Sequence, residues 1–390
     1  MRIYRTTREP RRLTRFRITD LLRIAMRLKP YYFLVLTIFS CLFSFGPSAY
    51  AAAPMKPVRI VVGTQALNIG YPWLTLPQAL GYWKDEGYDV QVVPLSPPAQ
   101  PITLLVAGQA DFAQVNGAVV VQAQTLKNEP VKVAMLNGVT DWSVAVLDDS
   151  SYKTVKDLKG KTIGAFGLAS GGVALFRALL QDNGIDPDKD VHLIAVGSGA
   201  PAIEALRTGR VQGLVFWATA MASFENAGLK LRYMRGPDWR RIPDYTLSVM
   251  EKTAQSDPKM VEAIIRGMAK ATLFALTNPD CARKIQWKTW PATKPTGSSD
   301  ERTLARWDDN ILKAQLDTLR DAFTLNGGKY YGNFDPQTYD ALQKFMLRTK
   351  QIPKTVPSSD YALTIPDLYK KANNFDADAI RQSALKCSNW

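Results

Sequence analysis

The stretch that decides the fold is KTIGAFGLASGGVALF, residues 161–176. Lys161 to Phe166 reads as an apolar strand and Gly167-Leu168-Ala169-Ser170-Gly171-Gly172 as a glycine-rich bend, after which a helical pattern begins at once. A helix that starts so abruptly leaves several backbone N–H groups without intrahelical partners, all facing whatever lies in front of them. With no bulky side chain in the way, those groups can hold a small anion or a carbonyl oxygen by backbone alone. A second junction of the same kind is read at VGSGAPAIEAL, residues 196–206. Two such ends point to a protein that grips a small molecule.

Outward from this bend the sequence alternates. On the N-terminal side, VRIVVGT (58–64), YDVQVVPL (88–95), DFAQV (111–115) and VKVAML (131–136) read as strands. Between them, PQALGYWKDEG (77–87), PITLLVAGQ (101–109) and GAVVVQAQTL (117–126) read as helices. After DWSVAVLDD (141–149) the pattern resumes: TIGAFG, VHLIAVG and VQGLVFW are strands, VALFRALLQDNG and PAIEALRTG helices. Gly184 and Gly209 sit where helix C-caps belong, and Pro201 sits in a first helical turn. Repeated βα units with short loops predict an α/β protein with two doubly wound parallel sheets. From Asp257 onward the chain reads as mainly helical, with seams near residue 148 and near residues 232–245.

The 390 residues are 46% apolar and carry a formal charge of +14. That charge is unevenly placed: residues 1–51 hold ten Lys/Arg and two acids, or +8, which leaves +6 for the rest. No base-reading motif or basic stripe follows, so a nucleic-acid partner is not expected. The first 51 residues read as a secretory signal: a basic region to Lys29, an apolar run from Tyr31 to Gly46, then Ala49-Tyr50-Ala51 as a cleavage pattern. The run is shorter than the roughly twenty residues of a membrane span. Met26 would open a signal of ordinary length and is read as the start. Cys41 lies inside the run and fits a lipid-attachment site poorly, because Phe39 stands two positions before it. The expected location is therefore the periplasm. Cys281 and Cys387 would share that oxidising compartment, either bridged or as two free buried thiols.

Three spread-out segments carry a resemblance: VRIVVGTQALNIGYPWLTLPQALGYWKDEGYDVQVVPL, AGQADFAQVNGAVVVQA, and TVKDLKGKTIGAFGLASGGVALFRALLQDNGIDPDKDVHLIAVG. In order and spacing the chain resembles the periplasmic substrate-binding proteins of ABC importers for sulfonates, taurine, nitrate and thiamine-pyrimidine precursors. The resemblance implies the two-lobed periplasmic-binding-protein (type II) fold, with two sheets joined by a two-strand hinge. One lobe would take residues 52–145 and 240–390, the other 146–239, with crossings at about 137–148 and 233–248. A ligand would lie between the lobes at the strand ends.

Carried onto this sequence, the family pattern assigns ligand contact to Gln65, Asn68, Tyr71 and Trp73 in the first loop, and to Asn116 and Gly117 after DFAQV. It also assigns Ser170, Gly171 and Gly172 in the glycine-rich bend, and Trp217 at the end of VQGLVFW. Gln212 replaces the acid usual in that last motif. The implied partners are a small-molecule ligand and an ABC permease with its ATPase, the protein itself being a monomer without a cofactor.

The loops TQALNIGYPW, VNGAVV, GVTDWS, GLASGGV, GSGAP and FWATAM contain no Lys or Arg and one acid, Asp141. A dianion such as phosphate ordinarily attracts Arg or Lys as well as backbone N–H groups. A small neutral or singly charged organic molecule, or a monoanion, is the expected ligand: sulfonate-, nitrate- or pyrimidine-like. Its polar end would lie at Ser170–Gly172, with Tyr71, Trp73, Trp142 and Trp217 either stacking on it or packing the core.

Rival motifs are weak. GSGAPA (197–202) mimics a dinucleotide fingerprint, but the next strand ends in Phe216-Trp217 where an acid is required. Gly160-Lys161-Thr162 resembles the end of a phosphate loop, but Val155 occupies the first glycine position. A single histidine, His192, and no clustered cysteine exclude His-dependent triads and zinc sites. An exported sensor partner, or an enzyme of pyrimidine or menaquinone biosynthesis on the same scaffold, are the alternative functions.

Overall fold

The structure is a computed structural model that describes residues 54–390 apart from Gln65, residues 96–99, Ala169 and Asn389. The segment expected to be a signal, with Met26 and Cys41, and Gln65, expected to contact ligand, thus lie outside the described residues. In chain order, β1 (Lys56–Val62) is followed by α1 (Pro72–Ala79), β2 (Tyr88–Pro94), α2 (Gln100–Val106), β3 (Phe112–Asn116), α3 (Gly117–Lys127) and β4 (Val131–Leu136). Then come β5 (Ser143–Leu147), β6 (Thr162–Ala165), α4 (Gly171–Asp182), β7 (His192–Ala195), α5 (Ala200–Arg207), β8 (Gly213–Phe216), α6 (Ala218–Asn226), β9 (Leu231–Met234) and β10 (Tyr245–Met250). Helices α7 (Glu251–Ser256), α8 (Pro258–Thr277), α9 (Pro279–Thr289), α10 (Glu301–Leu325), α11 (Thr338–Arg348), α12 (Leu368–Ala372) and α13 (Ala377–Lys386) complete the chain. No helix among the described residues is long and apolar enough to cross a membrane.

Two five-stranded sheets form, in the orders β2-β1-β3-β10-β4 and β7-β6-β8-β5-β9. Both place a third strand beside the first, a hinge-borne strand next and a fourth at the edge. The two halves therefore share one topology that no sequence repeat reveals. The expected all-parallel sheets are in fact mixed: β10 runs antiparallel to β3 and β4, and β5 antiparallel to β8 and β9. The reason is where those strands begin. β10 starts at Tyr245 opposite Asn116, the carboxyl end of β3, and β5 starts at Ser143 opposite Phe216, the carboxyl end of β8. A strand that enters its sheet at the end where its neighbours finish must run backwards.

Between those two starts the chain crosses twice, and the crossings pair with each other. Thr140 N donates to the Ile242 carbonyl at 2.8 Å, Asp244 N to Gly138 O at 3.0 Å, and Asn137 N to Tyr245 O at 3.0 Å. An antiparallel bridge joins Val139 and Pro243. This is the two-strand hinge, and it lies at the carboxyl ends of both sheets.

Each sheet is covered on both faces, as the near-continuous apolar strands require. In the first, Ile60 and Val62 face a core with Trp83, Ile264, Met268 and Leu312, while Val61, Ala113 and Val115 face Val120, Leu342 and Tyr361. In the second, Val144, Ile163 and Val215 pack on Phe176 and Leu180, while Ala145, Leu214 and Phe216 pack on Leu206 and Phe224. Truncating any one of the larger of these side chains to Ala removes roughly 2–5 kcal/mol. The helix expected over 77–87 is displaced: it runs from Pro72 to Ala79. Pro72 suits the first helical turn, and Gly81 at φ +76° turns the chain away just after the helix.

Candidate functional site

The carboxyl ends of the strands and the two hinge segments put a small set of polar and aromatic groups side by side. At its centre are two carboxylates, Asp141 on the outgoing crossing and Asp244 on the returning one. Asp141 Oδ2 accepts from the backbone N–H of Ala218, the first residue of α6, at 3.3 Å. Asp244 Oδ1 accepts from the Asn116 amide at 2.6 Å, and its carbonyl accepts from Gly117 N at 2.5 Å. Among the described residues, neither carboxylate forms an ion pair with a Lys or Arg.

Burial pushes the Asp141 carboxyl up to about 6; Arg240, Arg235 and the Ala218 N–H pull the other way without offsetting it. Arg240 itself is bonded to Asp321 at 2.6 Å, and Arg235 lies over the Tyr233 ring at 5.8 Å. Asp244 is raised to about 7, first by burial and also by the charge of Asp141, against the Asn116 amide and the Trp142 indole. Two carboxylates partly withdrawn from water resist ionising, and the charge of Asp141 adds to this at Asp244.

The aromatic wall follows from backbone spacing. Tyr71 stands at the start of α1, with its ring 5.7 Å from Trp73 and 6.3 Å from Tyr245. Trp142 and Trp217 meet edge to face at 5.4 Å, and Phe166 meets Trp217 at 5.7 Å. The Trp142 ring lies against the glycine-rich bend at Gly172. A Cβ on Gly172 would come within 2.0 Å of Trp142 Cε3, so only glycine fits there. Ser170 stands at the N-cap of α4 without capping it, and its hydroxyl is buried with no hydrogen-bond partner. Gly171 beside it is exposed.

Of the residues expected at the site, Tyr71, Asn116, Gly117, Trp142, Ser170, Gly172 and Trp217 are thus brought together, with Gly171 at the rim. Asn68 is exposed in the loop before α1, which its side-chain oxygen shapes by accepting from Gly70 N at 2.9 Å, and that loop lies against Thr219 of α6. One residue sits elsewhere: Trp73 is 0% exposed, in the core of the first sheet. Its indole N–H points at the buried Gln114 and Asn137 amides, within 2.6 Å of the Asn137 oxygen in the orientation that best satisfies that amide. Trp73 therefore supports Tyr71 and Tyr245 from below rather than presenting a free face.

Asp244 and Tyr245 were not among the expected residues. The one available signal was Pro243-Asp244-Tyr245 at a seam between domains, where charge beside an aromatic is unusual for a linker. Asp141 was visible only as the single acid of the loops. A separate open groove of about 630 Å³, lined by residues such as Asn326, Tyr330, Ile365 and Tyr369, belongs to C-terminal segments. None of its lining residues comes from the strand ends or the hinge, and no group of metal-ligating side chains occurs among the described residues.

Cys281 in α9 and Cys387 after α13 form a disulfide with a Cα–Cα distance of 5.7 Å. It ties the last helix to the first sheet's core, away from the seam.

Comparison with known proteins places this geometry in context. Residues 74–282 match the family described as NMT1/THI5 like. A Haemophilus influenzae protein named for thiamine biosynthesis is 25% identical over 307 residues, which covers 77% of this chain and 89% of that one. The periplasmic aliphatic sulphonate binding protein of Escherichia coli superposes with a TM-score of 0.60 at 16% identity, covering 81% of this chain and 99% of its own. The periplasmic nitrate-binding protein of Synechocystis superposes with a TM-score of 0.55 at 12% identity, covering 86% and 89%. At such identities the two superpositions show a shared fold.

Proposed function

The chain belongs to the NMT1/THI5-like family, and from that premise we propose that it is an extracytoplasmic solute-binding protein. It captures a small organic molecule in the seam between its two lobes and delivers it to an ABC permease. The observation that carries this reading is the convergence of both sheets' carboxyl strand ends on one hinge, where aromatic faces and partnerless polar groups gather. Open α/β sheets bind their ligands at such ends. A hinge made of two short paired segments permits rotation of one lobe on the other, with the solute favouring the closed population. The mechanism is capture and release, without covalent chemistry. The names of the sulphonate- and nitrate-binding structures support import; the thiamine-biosynthesis name of the Haemophilus relative keeps a biosynthetic role as the second reading.

Calorimetric titration with a panel of sulfonates, carboxylates, nitrate, pyrimidines and amines tests it. One class is expected to give a saturable heat. Gly172→Ala, which drives a methyl into Trp142, should weaken that binding by roughly tenfold or more with far-UV circular dichroism unchanged. Turnover of the bound solute, detected by mass spectrometry, would favour the biosynthetic role.

A further inference from the structure

The seam holds two carboxylates and no contacting cation. We infer that it takes a flat organic cation, with positively charged N–H donors on Asp141 and Asp244 and the ring against Tyr71, Trp142 and Trp217. This rests on the solute-binding reading and names the ligand's charge.

Three observations converge. Asp141 accepts from the N-terminus of α6, and Asp244 from the Asn116 amide and the Trp142 indole, which leaves each carboxylate with lone pairs in hand. The nearby guanidinium groups are committed elsewhere: Arg240 to Asp321 and Arg235 over the Tyr233 ring. Independently, five buried side-chain atoms among the described residues lack a well-formed hydrogen bond, and three of them lie on the elements that meet at the seam: Ser170 Oγ at the start of α4, Tyr245 Oη at the start of β10 and Tyr339 Oη behind Gly117. Tyr339 is 0% exposed, and its hydroxyl sits beside Gly117, between the Thr246 hydroxyl and the charge of Asp244. Buried polar atoms are almost always hydrogen-bonded, so a cluster of exceptions marks a place where another polar molecule belongs.

Charge then decides which molecule. An anion would add another negative charge beside a partly buried pair; a cation cancels one of the two charges and lowers the cost of closing the lobes over them. Closure is thereby coupled to the ligand, because only the liganded seam can be buried cheaply.

The test uses three probes of one shape: benzamidinium, neutral benzamide and benzenesulfonate. Benzamidinium is expected to raise Tm and to give a saturable heat, benzamide a much weaker one and benzenesulfonate none. Asp141→Asn and Asp244→Asn should each weaken benzamidinium by about tenfold or more, while the unliganded Tm rises because a buried charge is gone. A measurement on the unaltered protein avoids any folding defect: benzamidinium should bind more weakly as pH falls through about 7 and then about 6, where the pair gains protons. Of the groups facing the pair, Tyr71 and Tyr245 are raised further above their ordinary range by burial, and Asn116 and Trp142 carry no titratable proton in that range. Benzenesulfonate binding that survives or improves in the Asn variants overturns the inference and leaves the solute-binding reading intact. Equal affinity for benzamide and benzamidinium overturns it likewise. If no solute of any charge binds, both readings fall.

Discussion

Gly172, Trp142, Asp141 and Asp244 show how far single residues could be read in advance. Gly172 and its bend were legible because a glycine run between a strand and a helix has few other uses. Asp244 was not, because its meaning depends on Asp141 more than a hundred residues earlier, and only the hinge pairing of Thr140 with Ile242 brings them together. Burial alone says what Trp73 does: an aromatic at the start of a helix reads equally as ligand contact or as core, and here it is core. The carboxyl pair makes a stability prediction. Both folded-state values, about 6 and about 7, lie above the ordinary unfolded value near 4. For an acid raised in this way, the folded state binds the extra proton, so its stabilising contribution is complete below the unfolded value and is lost as pH rises through the folded one. The unliganded Tm should therefore fall between about pH 4 and about pH 7. Asp308, raised to about 6 by burial, adds to the same slope, so the comparison that isolates the pair is the protein against its Asp141→Asn/Asp244→Asn double variant. The variant should show the flatter profile; identical profiles would show that the pair is solvated.

At the scale of elements, most strands were legible from apolar runs bounded by turn residues, and the long α8 from its Asp257 cap and apolar spacing. α1 was misplaced because Pro77 looks like a helix start, whereas Pro72 fills that role and the core residues Trp73, Leu74 and Leu76 lie upstream of the expected helix. Strand direction was illegible: β5 and β10 read like any other apolar strand, and only their position next to the crossings reverses them. The C-terminal helices carried the weakest signal. α13 has one buried residue, Ala384, and is held by the Cys281–Cys387 bridge and by the Asn278 amide donating to Ala384 O at 2.9 Å. A helix with so little buried surface depends on its staple. Reduction, or Cys281→Ser with Cys387→Ser, should lower stability by roughly 2–5 kcal/mol and make α13 the first segment cut in limited proteolysis. Urea unfolding with and without reductant checks this; unchanged midpoints and cleavage would mean that α13 is held by packing alone.

The molecule as a whole was legible as two α/β lobes, since repeated βα units with short loops leave few other architectures. How closely the lobes meet was not, because the contacts between them come from polar side chains far apart in sequence. Arg348 of α11 pairs with Asp182 of α4 at 2.6 Å, and Asn226 of α6 donates to the Trp307 carbonyl of α10 at 2.8 Å. The exposed ion pair contributes little, and beside the packing of Phe345 against cores of both lobes a solute in the seam should add most to holding them closed. The most direct test of that claim is a distance between the lobes. Spin labels at the exposed positions Lys84 and Lys189, introduced as Lys84→Cys and Lys189→Cys, report it by pulsed electron paramagnetic resonance. With the solute that gives the largest thermal shift, the distance distribution should shift and narrow to one population. A distribution that stays the same with every solute tested would contradict the account.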